Sequence, residues 1–176
     1  RFIKLINFAD LDNFWSYLPE KKERRIRRKV ERKLRKGKEP KISQRMQMHE
    51  IVQLNNQYIL VGEAFYRRRV EQPRHGYTGA DALLRARVVE TLEFSHAVAI
   101  GFDQNGELLW DHSFGLGEAL SENLSEFVTV NILNDRVELM YIDENLINSK
   151  IVDGNEVVEG KKSTPLRLLN EQDEFA

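Results

Sequence analysis

The sequence predicts a mostly β protein with a helical segment at its amino terminus. Three observations lead to this prediction. From residue 42 onward, apolar side chains recur at every second position over several runs, as in strands with one buried face. Short clusters of Asn, Asp and Gly separate these runs, and such residues favour tight turns between strands. Residues 20–36 instead carry apolar side chains at every fourth position, which is the spacing of a helix.

The first 41 residues are predicted to form the helical segment. Residues 1–18 are rich in apolar and aromatic side chains, and Asp10 is a suitable N-cap for a short helix over 11–18. Pro19 then suits the first turn of a second helix over 20–36, because its missing N–H has no partner to lose there.

The second helix is strongly basic and only narrowly apolar. Its apolar stripe consists of Ile26, Val30 and Leu34. Its glutamates precede arginines by four residues, a spacing at which each pair adds about 0.2–0.5 kcal/mol of helix stability. Gly37 provides a helix stop.

Residues 42–176 are predicted to form two antiparallel four-stranded meanders. An insertion over 68–92, with a short helix over 80–90, interrupts the first meander, and Gly115-Leu116-Gly117 separates the two. The predicted strands span residues 44–54, 58–67, 94–103, 107–114, 125–133, 136–142, 146–152 and 156–159.

Two segments of the sequence resemble known repeats. The first runs from Asn56 to Glu63 (NQYILVGE), and the second from Val98 to Trp110 (VAIGFDQNGELLW). Both are similar to strands and hairpins of bacterial β-propeller blades. The chain also resembles uncharacterised envelope-associated proteins of Bacteroidota that carry such blades beside a basic helix. This resemblance implies a propeller-like fragment in an envelope or secreted setting, whether periplasmic, cell-surface or extracellular. A closed propeller needs at least about four blades, and the sequence contains only two blade-like units. A two-sheet β-sandwich is therefore the alternative.

Charge is distributed unevenly along the chain. The formal net charge is −1, yet residues 19–41 carry 13 basic and four acidic side chains, a net of +9. Residues 101–176 carry five basic and 16 acidic side chains, a net of −11. The chain contains no Cys, which excludes disulfides, thiol nucleophiles and Cys-based zinc sites.

The basic helix is the first candidate binding surface. The predicted binding surface also includes two arginines at the end of the strand over 58–67. The candidate residues are Arg24, Arg28, Arg32, Arg35, Arg67 and Arg68. Such a surface would bind an acidic protein, or alternatively nucleic acid or an anionic membrane. The helix has no aromatic side chains for base stacking, which makes nucleic acid the less favoured partner.

Catalytic residues are sparse. Pairing of the strands over 58–67 and 94–103 would allow Glu63 and His96 to approach, and they form the best acid–base pair that the sequence offers. A hydrolase using Glu63, Asp103 or Asp111 is therefore an alternative function. No His pair has zinc-ligand spacing, and we expect neither a metal nor another cofactor.

The sequence therefore predicts a non-catalytic interaction or scaffold module of a bacterial envelope or secreted protein. Its expected partner is another protein, or other domains of a longer chain. Because the sequence opens on Arg1 rather than Met, we expect further chain upstream.

Overall fold

The computed structural model describes residues 6–40, 42, 44–72 and 87–166. It contains one α-helix, a short 3-10 helix at Phe8–Asp10, and nine strands. The helix α1 spans Glu20–Leu34. The strands are β1 (Arg45–Met48), β2 (Val52–Leu54), β3 (Gln57–Gln72), β4 (Arg87–Phe102), β5 (Leu108–Ser121), β6 (Thr129–Leu133), β7 (Arg136–Asp143), β8 (Leu146–Asp153) and β9 (Glu156–Pro165).

The strands form two antiparallel sheets, which confirms the mostly β, meander-like prediction. Sheet A has the order β1-β3-β4-β5, with β2 also paired to β3. Sheet B has the order β6-β7-β8-β9. Buried side chains of both sheets belong to one apolar core, so the arrangement within the described residues is the two-sheet alternative. The described residues contain no closed propeller. Strands β3 and β4 have 16 residues each, which exceeds the usual length of a strand.

Sheet A is covered on both of its faces. Ile59, Val61 and Phe114 belong to the face that packs against Leu139 and Val152 of sheet B. The opposite face carries Val98 and Ile100, which pack beneath Leu11 and Phe14 of the amino-terminal segment. The described residues therefore form three layers, in the order sheet B, sheet A and amino-terminal segment.

Hydrogen bonds fix the amino-terminal segment to the edge strand β5. The carboxylate of Asp111 accepts bonds from the backbone N–H groups of Asp12 and Asn13, at 2.9 and 2.8 Å. The hydroxyl of Ser113 accepts a bond from the N–H of Tyr17 at 3.0 Å. The helix predicted over 11–18 is wrong, because this stretch forms turns, and the N–H groups of Asp12, Asn13 and Tyr17 bond to β5 instead of to helical carbonyls.

Several predicted boundaries are also corrected. The strand predicted over 44–54 is divided into β1 and β2. The insertion predicted over 68–92 is wrong where the structure describes it, because β3 continues to Gln72 and β4 begins at Arg87. The helix predicted over 80–90 is wrong for 87–90, while 80–86 lie outside the described residues. The break predicted at Gly115 to Gly117 lies within β5, where Leu116 is buried in the core.

Candidate functional site

Helix α1 presents a continuous basic face to solvent. Residues spaced three or four apart share one side of a helix, so Arg25, Arg28 and Arg32 lie together, and all three are exposed. Among the residues that the structure describes, none of the three has an ion-pair partner. A row of cations without counter-charges is available for an anionic partner.

The other predicted arginines of the helix are neutralised locally. Arg24 pairs with Glu20, and Arg35 pairs with Glu31 at 3.4 Å. Both are i,i+4 pairs of the kind that the sequence predicted. Of the four helical residues assigned to the binding surface, the structure therefore leaves Arg28 and Arg32 unpaired.

Only a few contacts attach the helix to the rest of the molecule. Ile26 and Val30 are half-buried, whereas 54% of Leu34 is exposed, and none of the helix residues is fully buried. Arg27 joins the helix to the amino-terminal segment, because its guanidinium donates to the carbonyl of Asp12 and also pairs with Glu23 at 2.8 Å. The helix lies on the surface with its basic face directed away from these contacts.

The arginines at the strand end are engaged in cross-strand ion pairs. Arg67 lies 3.9 Å from Glu90, and Arg68 lies 2.8 Å from Glu93, both on β4. Arg69 shares Glu90 at 3.5 Å. These pairs join β3 to β4 beyond the core, and they leave less free positive charge here than on α1.

The structure does not bring Glu63 and His96 together. Glu63 lies opposite Ala97 in the register of β3 and β4, whereas His96 lies opposite Ala64, so the two side chains point to opposite faces of sheet A. The proposed acid–base pair is wrong for this geometrical reason.

Glu63 instead joins the two sheets. Its carboxylate is fully buried and accepts a bond from Nε2 of His49 at 2.7 Å. It also accepts bonds from the backbone N–H groups of Phe127 and Val128, at about 3 Å, in the segment that leads into sheet B. Sequence reasoning missed His49, which follows β1 directly and whose backbone N–H donates to the carbonyl of Val61 at 2.9 Å, close to Glu63.

His96 is buried in an aromatic environment. Its ring stacks on Tyr17 with 3.8 Å between ring centroids, and its Nδ1 lies 2.9 Å from the hydroxyl of Ser95. Its Nε2 has no hydrogen-bond partner among the described residues. Burial lowers the pKa of His96 to about 4, so the imidazole is neutral at physiological pH.

This burial predicts a pH dependence of stability. Between about pH 6.5 and 4, the unfolded chain binds a proton at His96 that the folded chain does not bind. The free energy of unfolding therefore falls as the pH falls through this window, by about 1.4 kcal/mol per pH unit and about 3 kcal/mol in all. Urea unfolding at several pH values should show that His96→Phe removes this part of the dependence. Parallel pH profiles for the two proteins would contradict the assignment.

The carboxylates considered for hydrolysis all accept hydrogen bonds. Asp103 accepts bonds from the N–H groups of Asn105 and Glu107, at 2.9 and 2.7 Å, within the β4–β5 turn. Asp111 fixes the amino-terminal segment as described above. Burial raises the pKa of Asp111, and the backbone N–H groups of Asn13 and Asp12 oppose that change. Each of these carboxylates therefore stabilises the local backbone through its hydrogen bonds.

Three further findings bear on function. Within the described ranges, no group of three or more His, Asp or Glu side chains is arranged to hold a metal ion. In the same part of the chain, α1 is too short and too polar to cross a membrane. Comparison of the chain with models of known protein families, with curated proteins and with solved structures gives no match.

Proposed function

We propose that the chain is a non-catalytic interaction module whose basic helix binds an acidic surface of a partner protein. The observation that carries the proposal is the unpaired row of Arg25, Arg28 and Arg32 on an exposed helix. The buried carboxylates of Glu63, Glu93 and Asp111 all accept hydrogen bonds within the described chain, whereas these cations have no such internal role. In this proposal the sandwich is the rigid support of the helix, within a longer envelope or secreted protein.

Charge outside the helix favours a protein partner over nucleic acid. The residues outside 19–41 carry a net charge of −10, and the isoelectric point of the chain is about 6.5. A nucleic-acid-binding domain is usually basic over a whole face, with an isoelectric point above about 9. The acidic body would repel a long polyanion, whereas a protein could contact the helix alone.

The apolar stripe disfavours a membrane surface as the partner. Helices that lie on membranes bury a broad apolar face that often contains Trp or Phe. Here the stripe is limited to Ile26, Val30 and Leu34, and the first two are only partly exposed.

Charge reversal on the helix tests this function. We expect Arg28→Glu with Arg32→Glu to weaken binding of a short oligo-glutamate peptide, a model acidic polypeptide that can contact the helix alone, by about tenfold or more, which corresponds to about 1.4 kcal/mol. Fluorescence anisotropy with labelled protein would measure the affinity, together with that for a short DNA duplex and for anionic vesicles. The matched control reverses Arg67 and Arg69, which already share Glu90.

The outcomes separate the classes of partner. The proposal predicts saturable binding of the polypeptide that is weakened by reversal on the helix and retained by the control. A preference for the duplex, with a steep loss of affinity between about 50 and 200 mM salt, would indicate a nucleic-acid binder instead. Equal losses in both double variants would show that net charge alone drives the binding.

A further inference from the structure

A cleft separates the amino-terminal segment from strands β8 and β9 at the edge of sheet A. Its volume is about 660 Å³, within the usual range for sites that hold small molecules. The side chains of Tyr17 and Phe114 contribute to its walls, and Gly160 contributes open space. Lys150 and Lys161 bring two amines to the same cleft.

The two amines are held at neighbouring positions along β5. Lys150 is buried, and its Nζ donates to the carbonyl of Ser113 at 2.9 Å. The Nζ of Lys161 donates to the carbonyl of Gly115 at 3.0 Å and to the hydroxyl of Tyr141 at 2.7 Å. Because Ser113 and Gly115 are two residues apart on one strand, their carbonyls lie about 7 Å apart. Since both lysines line the same cleft, one anionic group could accept charge-assisted hydrogen bonds of about 2.8 Å from both amines.

Neither amine has a carboxylate partner among the described residues. The one acidic side chain in the cleft wall is Glu93, which is already bonded to Arg68 and Tyr66. Asp111 acts on Lys150 only at longer range, since both its oxygens accept bonds from the amino-terminal segment. Burial lowers the pKa of Lys150, as expected for a cation that lacks a close counter-charge.

A purely structural role explains the hydrogen bonds of the two lysines to β5, but not why both donors are charged. The two lysines and Asn13 bond to the carbonyls of alternate β5 residues, and such covering of an edge strand prevents another strand from pairing there. A neutral donor would serve that purpose without the free-energy cost of burying an ammonium group. The covered edge also excludes an added peptide strand as the occupant of the cleft.

We propose that the cleft binds a small organic anion whose anionic oxygens are held by Lys150 and Lys161. The ligand carries a carboxylate or a phosphate group, and the hydroxyl of Ser16 and the ring of Tyr17 line the space beside that group. This site is separate from the basic face of α1, and its existence does not depend on the function proposed for that face.

Isothermal titration calorimetry with succinate, acetate and inorganic phosphate tests the site. We expect saturable binding of at least one of these anions, and we expect Lys161→Met to weaken it about tenfold or more. The matched control is Lys162→Met, because Lys162 is the exposed neighbour that pairs with Glu159 at 2.9 Å. A carboxylate preference would indicate an organic acid as the ligand, and a phosphate preference a phosphate ester.

Two further variants keep the test decisive. Lys150→Met should also weaken binding about tenfold or more, and near-ultraviolet circular dichroism would establish that this variant is folded. If it does not fold, the exposed Lys161 variant still decides the question. Arg28→Glu with Arg32→Glu should leave anion binding unchanged. Absence of saturable binding for all three anions, or binding that survives Lys161→Met but not reversal on the helix, would overturn the proposal.

Discussion

Glu63→Gln is expected to lower the free energy of unfolding by about 3 kcal/mol or more. The carboxylate of Glu63 is fully buried and accepts bonds from His49, Phe127 and Val128. All three donors bond to Oε1, and an amide at this position lacks the negative charge that strengthens these bonds. Its NH₂ group, at the position of Oε2, would face the N–H of Phe127, which lies 3.1 Å from that oxygen. Each hydrogen bond to a charged group contributes about 1.5–3 kcal/mol, and a buried donor left without an acceptor adds a further cost.

Urea unfolding at neutral pH would measure this loss. Glu126→Gln is the matched control, because Glu126 lies 3.7 Å from the other nitrogen of the same histidine but is half exposed. We expect the control to change stability by less than about 1 kcal/mol, as for other exposed ion pairs. Similar small effects in both variants would show that Glu63 does not hold the two sheets together.

Gly101→Ala is expected to have an effect of similar size. A Cβ atom at residue 101 would overlap the indole ring of Trp110, its cross-strand neighbour. Trp110 cannot move without cost, since it is buried and its Nε1 donates to the side chain of Gln57 at 2.7 Å. Overpacking of this kind costs about 1–3 kcal/mol and occasionally more.

A double-mutant cycle with Trp110→Leu isolates the overlap. The cost of Gly101→Ala should become small when the indole is absent, because the overlapping atoms are then removed. Gly160→Ala is the matched control, since no heavy atom of the described residues lies within 4 Å of the corresponding Cβ position. An equal cost of Gly101→Ala with and without the indole would point to the backbone rather than to packing.

Much of the sheet could be predicted because its turns are encoded locally. Asn55, Asn134 and Asp135 have positive φ angles in the structure, as do Gly106 and Gly154. These residue types tolerate that conformation, so they indicated four hairpin turns in the sequence. The alternation of side chains along β3 likewise predicted its two faces.

The outer parts of β3 and β4 could not be predicted in the same way. Arg67 to Arg69 and their partners on β4 form ion pairs across the strands, so no apolar alternation marks the continuation of the strands. Gly115 and Gly117 suggested a break, but Leu116 between them is buried in the core and keeps β5 in the sheet.

The candidate sites also differ in whether their contacts are local in the sequence. The pairs within α1 depend on residues four positions apart, so the sequence was sufficient to predict them. The partnership of Glu63 with His49 depends on strand register, and the cleft with Lys150 and Lys161 depends on the packing of sheet B against β5. No local pattern of residues signals such contacts between distant segments.

Site-specific photo-crosslinking from residue 28 in the native host tests the central claim most directly. A photoreactive amino acid replaces Arg28, and the same amino acid at Arg69, whose side chain is 78% exposed, provides the control. We predict one defined protein adduct from residue 28, absent from the control and lost when Arg32→Glu is added. An acidic segment of that protein should carry the crosslink. Adducts with nucleic acid or lipid, or the same adducts from both positions, would contradict the assignment of α1 as a protein-binding surface.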